Sequence, residues 1–380
     1  MHPLLSRLRA DVEARKAAGL GRELLAVSEH RGAYAVVEGR ELLDFSSNDF
    51  LGLAQDRAMA EHLGDLCRLQ GCGSGSSRLV TGTSSATMQA ERALAAHFGY
   101  ESCLILGSGF LANLTLLATI FSDKDTLALD KRAHASTVAG VRHSRASFHT
   151  FRHNRMGHLE KILRAHQVQA VLTESLFSMD GDSPDFGALK RLKEEFGFLC
   201  VVDEAHAFGV LGDGGRGLAR DAADVAVGTL GKAFGLFGAF ILCPEAVRDH
   251  LVHFGQGFIY TTALPPWHGD MVLAMLDRVA AADEDRERLR RLGDEARTIL
   301  GGILPVRGEA HILALEVGDE ARCARLASAL RSRGVLVFAA RYPTVPMGQA
   351  ILRVNLTGLH TREHVQALRD ALVASLGGEA

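Results

Sequence analysis

From about residue 85 to 245, short apolar runs alternate with helical stretches, and this alternation limits the possible folds more than any other feature. Strand candidates are 102–106, 126–129, 147–151, 169–174, 198–202, 225–229 and 238–242. Helix candidates between them are 85–98, 110–120, 134–143, 156–165 and 185–196. Such a pattern predicts an α/β fold, a mostly parallel sheet with helices on both faces. Ligands in these sheets gather at the carboxyl ends of the strands. Glu174, Ser178, Asp203, His206 and Thr229 all fall at or just past a predicted strand end, so they can converge on one site.

Outside that core the pattern changes. Residues 5–19 read as an amphipathic helix, followed by two short strands around Tyr34–Val37 and Glu41–Phe45. Pro265-Pro266 punctuates the chain, and one long charged helix is predicted over 267–300. Strand 310–317, helix 319–332, strands 335–339 and 350–356, and helix 361–375 then read as a smaller α+β domain. The expected division is an N-terminal segment 1–45, a large domain 46–270 and a small domain 271–380, a reasonable split for 380 residues.

Composition removes several classes of function. Lys+Arg 42 against Asp+Glu 45 leaves a formal charge of −3, which argues against nucleic acid or an anionic membrane surface as partner. Cys67, Cys72, Cys103, Cys200, Cys243 and Cys323 are scattered without a Cys-x-x-Cys pair, so they read as buried thiols rather than a disulfide framework. No apolar stretch reaches the length of a spanning helix, and residues 1–19 lack the apolar centre of a signal peptide. The expected location is the cytoplasm. The histidines form no ligand set with a third partner, and no metal site is expected.

Two residues define the chemistry. Asp203 ends the apolar run 198–202, where an isolated carboxylate would be costly to bury. Lys232 lies between Gly231 and Ala233, past the apolar run 225–227. A carboxylate can keep a pyridine nitrogen protonated, and a lysine can hold an aldehyde as a Schiff base; together these are the requirements of pyridoxal 5'-phosphate (PLP). Burial also favours the neutral amine that such a lysine needs. His206 follows closely in Asp203-Glu204-Ala205-His206 and could stack on the ring or hydrogen-bond to it. The turn Gly107-Ser108-Gly109-Phe110-Leu111-Ala112-Asn113 joins a strand to a helix whose amides could take a phosphate. It is not a nucleotide-binding P-loop, because no Gly-Lys-Ser/Thr follows. Gly71 to Arg78 lacks that lysine too and reads as an irregular loop near the site. His134, at a helix start beside Ser136, could face a cofactor.

Taken in order, the motifs resemble the α-oxoamine synthases, a PLP-dependent transferase family of fold type I. The resemblance runs through Ser46 to Leu53, Gly73 to Gly82, the Gly107 turn, Phe177 to Asp182, Asp203 to His206, Gly231-Lys232, Tyr260 to Thr262 and Pro343 to Pro346. It implies that Lys232 is the Schiff-base lysine and the proton-transfer base. Asp203 would pair with the pyridine nitrogen, His206 with the ring hydroxyl, and His134 would stack on the ring. Gly109 and Phe110 would offer amides, while Ser178 and Thr229 would hold ring and phosphate. Thr262 would reach the phosphate of a neighbouring subunit, because the family's sites form across a homodimer interface. Asn48 and Arg353 would hold the amino-acid carboxylate, and Arg22, Arg341 and Thr344 would line the acyl-donor side. The implied reaction joins L-alanine to a pimeloyl thioester, carried by coenzyme A or acyl carrier protein. It loses CO2 and gives 8-amino-7-oxononanoate for biotin synthesis.

Some positions depart from the family's pattern. Phe208 replaces a Thr or Ser, Thr87 a His, and Ile351 the first arginine of an Arg-x-Arg pair, while Phe237-Gly238-Ala239 replaces a Gly-Gly segment. Phe208 and Ile351 are expected to reshape the donor pocket. Within the family the alternative is glycine with acetyl-CoA. Outside it, a PLP aminotransferase or lyase would share the Asp203–Lys232 pair, whereas His134 and Pro343–Pro346 favour the synthase.

Overall fold

Seven of the apolar runs form a single sheet: β1 (Ser102–Leu106), β2 (Thr126–Asp130), β3 (Ser147–Phe151), β4 (Ala170–Glu174), β5 (Leu199–Asp203), β6 (Val225–Thr229) and β7 (Ala239–Cys243). Their spatial order is β1-β7-β6-β5-β4-β2-β3. Neighbours from β6 to β3 run parallel, and β7 runs antiparallel to both β6 and β1. The reason is the short turn Leu230–Gly238 between β6 and β7, since a parallel return needs a crossover of a dozen or more residues. Alternate side chains serve opposite faces. Leu127 and Leu129 pack with Leu104, Leu116 and Leu117, while Ala128 packs with Phe151, Val171 and Val202. With both faces covered, β4 is buried from end to end.

The computed structural model describes residues 2–379. It separates into two compact units. The sheet unit comprises Asn48–Phe177 and Ser183–Arg286; the other takes the chain up to Ser47, Ser178–Asp182 and everything from Glu287. The second unit holds two four-stranded sheets. In one, Val27–Arg31, Tyr34–Val37 and Arg40–Asp44 form an antiparallel meander that Val335–Leu336 joins in parallel. The other has Ile312–Gly318 and Ala350–Asn355 at its centre, edged by Val306–Arg307 and Phe338–Ala340. Helices Glu320–Ser332 and Arg362–Leu376 belong to the same unit.

Several local expectations are corrected. The helix expected over 267–300 is two helices, His268–Ala280 and Asp283–Gly301. Buried Arg286 holds the break: its guanidinium donates at 2.7 Å to the Val279 carbonyl, which a continuous helix would give to a backbone amide, and at 3.2 Å to Gly209 O. The single strand expected at 335–339 is split at Val337 between the two small sheets. The first helix, Pro3–Ala17, buries none of its residues, so Leu4, Leu8 and Val12 meet no core. Helices Arg57–Gln70 and Glu245–Phe254 were not expected from the pattern. The first starts at Asp56, whose carboxylate accepts the Ala58 and Met59 amides, an N-cap that the sequence does carry.

Candidate active site

Lys232 sits in the β6–β7 turn. Leu236 N–H donates to Leu230 O, and Leu230 N–H donates to Gly238 O, which closes the loop around it. Thr229 braces the same turn: its hydroxyl donates to Gly238 O and accepts from Gly231 N–H, each at 3.2 Å. Gly235 has φ +59, and a Cβ there would lie 2.3 Å from the Ala54 nitrogen, so only glycine lets the turn pack this closely. The turn presents the half-buried Lys232 with its Nζ 2.8 Å from Nε2 of His206.

His206 is reached from β5 through Asp203-Glu204-Ala205. Asp203 lies at the strand end, where its two carboxylate oxygens are held separately. Oδ1 accepts from Ala205 N–H at 3.0 Å, and Oδ2 accepts from Asn113 Nδ2 at 2.7 Å. The same Asn113 nitrogen donates to Ser136 Oγ at 3.0 Å, and Ser136 Oγ is 2.7 Å from His134 Nδ1. His134 caps helix Ala135–Ser144 by accepting the Ser136 amide, and its ring keeps an accessible face. The protein atoms crowded around it still lower its pKa through desolvation; nearby Asp203 opposes the shift and Lys232 adds to it. Desolvation therefore favours the neutral form of the ring.

Two further carboxyls surround this group. Glu174, at the end of β4, is fully enclosed, and burial raises its pKa well above the usual range, with Asp203 adding to the effect. Glu204 is raised to about 7, again by burial, although the amides of Leu218 and Ala219 hydrogen-bond to it.

The expected phosphate turn opens helix Gly109–Ile120. Ser108 accepts the Leu111 amide as N-cap, and a Cβ built on Gly109 meets nothing within 4 Å. Open space at a helix N-terminus suits an anion. Gly107 also faces a recess shared with Arg78, Gly82, Thr87, Thr262 and Ala263. Thr262 is exposed and forms an isolated β-bridge with Ser77. The donor set fits PLP: an amine for its aldehyde, an oriented carboxylate for its ring nitrogen and free helix amides for its phosphate.

The other expected site residues are distributed as follows. Asn48 opens the sheet unit, whereas Ser178 and Arg353 belong to the second unit. Arg353 is buried, its Nε donates to Ser178 O, and burial lowers its pKa to about 10, so it stays a cation at neutral pH. Arg22, Arg341 and Thr344 line one cavity of about 690 Å³ together with Lys16, Phe338 and Tyr342. Arg341 also donates to Gly21 O at 3.1 Å. Phe208 and Ile351 take no part in that cavity, contrary to expectation. Phe208 is packed among Phe98 and Phe240, and Ile351 among Ala314, Ala340 and Val345; both positions are core. Thr87 is buried and hydrogen-bonds Ser84 at a helix start.

Residues 40–372 match the family "Aminotransferase class I and II". The chain is 36% identical to the 8-amino-7-oxononanoate synthase of Vibrio campbellii over 376 residues, 98% of both chains. It is 42% identical to that of Gluconacetobacter diazotrophicus over 88% of each. The chain belongs to the α-oxoamine synthase family. An 8-amino-7-oxononanoate synthase structure from Francisella tularensis agrees with a TM-score of 0.78, at 28% identity over 89% of this chain and 98% of that one. Serine palmitoyltransferase from S. paucimobilis, solved with a bound PLP–myriocin aldimine, shares the fold with a TM-score of 0.92, at 24% identity and 99% coverage of each. This α-oxoamine synthase is thus an enzyme of the PLP fold type I class, and PLP is its cofactor. Among the described residues no helix is long and apolar enough to cross a membrane.

The sequence points to Lys232, Asp203, His206 and His134 and puts Glu174 at the same strand ends, but it gives no role to Asn113, Ser136 or Glu204. Asn113 did carry a signal: it is an amide inside the otherwise largely apolar helix Gly-Phe-Leu-Ala-Asn-Leu-Thr-Leu-Leu. A polar group buried there needs a partner.

Proposed function

We propose that the chain condenses L-alanine with a pimeloyl thioester to give 8-amino-7-oxononanoate, CO2 and the free thiol, as a step of biotin synthesis. The observation that carries this reading is the 2.8 Å contact of Lys232 Nζ with His206 Nε2 on the strand-end layer that bears Asp203, in a chain whose curated relatives bear that enzyme's name. When bound, the cofactor supplies an aldehyde for the amino group and a ring that accepts electron density from the alanine Cα. Lys232 anchors the cofactor, then takes the Cα proton of alanine and returns a proton to the product. His206 holds the Lys232 amine in position for that transfer and serves the ring hydroxyl. Asp203 keeps the ring nitrogen protonated, and the neutral His134 stacks on the ring. Gly109 and Phe110 donate amides to the cofactor, with Ser178 and Thr229 beside it. Arg353, with Asn48, binds the alanine carboxylate. The new C–C bond joins the alanine Cα to the thioester carbonyl carbon. The C–S bond breaks to release the thiol, and the bond to the alanine carboxylate breaks to release CO2.

The cavity carries Arg22, Arg341 and Lys16 against one acid, Glu23, and this excess of positive charge suits the phosphate groups of coenzyme A or of a carrier-protein arm. The enzyme works as a homodimer in the cytoplasm, with Thr262 reaching the phosphate of the other subunit's cofactor. Exposed Val80, Phe237 and Tyr260 on the sheet unit support such an interface. Thiol release tests the reading. Alanine, glycine and serine are crossed with pimeloyl, acetyl, succinyl and palmitoyl thioesters, and alanine with the pimeloyl donor should give the highest kcat/KM. Preferred turnover of glycine with acetyl-CoA would overturn it.

A further inference from the structure

Helix Gly109–Ile120 is apolar along most of its length, yet Asn113 on it is only 3% exposed. An amide buried without partners would be costly. Its Nδ2 has two hydrogens, and two acceptors lie in reach: Asp203 Oδ2 at 2.7 Å and Ser136 Oγ at 3.0 Å. Ser136 is itself completely buried, and its Oγ lies 2.7 Å from His134 Nδ1. One amide therefore ties together the carboxylate and, through a hydroxyl, the imidazole, the two groups assigned to the ring nitrogen and the ring face.

We infer that Asn113 is a positioning residue that tunes the cofactor through Asp203. This rests on the proposed use of Asp203 toward the ring nitrogen. A neutral donor is well suited to the task. It stabilises the carboxylate as an anion without neutralising it, as an arginine would, so the charge remains available to a protonated ring. It also fixes the carboxylate in one orientation, because Ala205 N–H holds the other oxygen. Ser136 extends the same restraint to the imidazole ring. A merely structural Asn113 would fill space and satisfy Ser136, and its loss would weaken any ligand of the site equally.

The test uses the full-length protein stripped of cofactor and reloaded with PLP or with its 1-deaza analogue, in which C–H replaces the ring nitrogen. Asn113→Leu should weaken PLP binding roughly ten- to a hundredfold, the range set by a hydrogen bond to a charged group. Binding of the deaza analogue should change by less than about threefold, because nothing then depends on the carboxylate's charge. Ser136→Ala, a smaller change that keeps the test usable if Asn113→Leu does not fold, should show the same preference at about two- to fivefold. Equal losses for both cofactors, or no loss for either, would overturn the inference while leaving the proposed reaction intact. Failure of the wild-type protein to bind PLP would remove the proposed reaction and the inference together.

Discussion

Glu204 shows how strongly one buried group can couple to pH. It neighbours Asp203 in sequence, but its carboxyl accepts the amides of Leu218 and Ala219 instead of serving the site. Burial raises its pKa to about 7 from a reference of 4.5. The folded state thus holds a proton that the unfolded chain releases above 4.5, so the contribution is fully present at low pH and is lost as pH rises to 7. Integrated over that window it amounts to roughly 3 kcal/mol. Glu204→Gln should remove this dependence. In urea unfolding of wild type and variant from pH 4.5 to 7.5, wild type should lose stability relative to the variant as pH rises, and parallel curves would contradict the assignment. The reactive residues were legible at this scale because each carries its own local pattern: Lys232 between small residues, and Asp203 and His206 after an apolar strand. For Asn113 the sequence shows only an amide in an apolar helix; its partner Asp203 lies 90 positions away, and only the sheet brings them together.

At the scale of elements, most strands of the large sheet were readable because they are short apolar runs with their own turn signals; the edge strand Ser147–Phe151 is largely polar and exposed. The connection between 267 and 300 was not readable, because Arg286 turns back on the Val279 carbonyl while it is also anchored on Gly209, a distant segment. Helix packing depends in the same way on a single small residue. At Gly269, in helix His268–Ala280, a Cβ would lie 2.3 Å from the Thr87 nitrogen and 2.4 Å from the Ala86 carbonyl carbon, both backbone atoms of helix Ser85–Phe98. Gly269→Ala should therefore push the helices apart and destabilise the protein by about 1–3 kcal/mol. Gly157→Ala is the control: nothing lies within 4 Å of that Cβ, and the helix Met156–Ala165 should be unaffected or gain about 0.5–1 kcal/mol. Urea midpoints of the two variants should move in opposite directions or only the first should fall. The positions of Phe208 and Ile351 follow the same logic. As departures from a family pattern they suggested altered specificity, but the residues around them make both core positions, which no local pattern reveals.

Across the whole molecule, the groups with chemistry separate by unit. The amine, the carboxylate, the imidazoles and the helix amides belong to the sheet unit, while Arg353 and the cationic cavity belong to the other. The α/β class was legible because a parallel sheet requires the alternation seen from 85 to 245. The grouping of Ser178–Asp182 with the C-terminal residues was not, since it depends on Arg353 bonding the Ser178 carbonyl and on Arg307 pairing with Asp180. Everything proposed for the chemistry depends on one of the chain's seven lysines being the cofactor's anchor. Borohydride reduction of the PLP-loaded protein, followed by proteolysis and mass spectrometry, tests that directly. The account predicts the reduced cofactor on the peptide containing Lys232 and on no other; a tag on any of the remaining lysines, or no covalent tag at all, would contradict it.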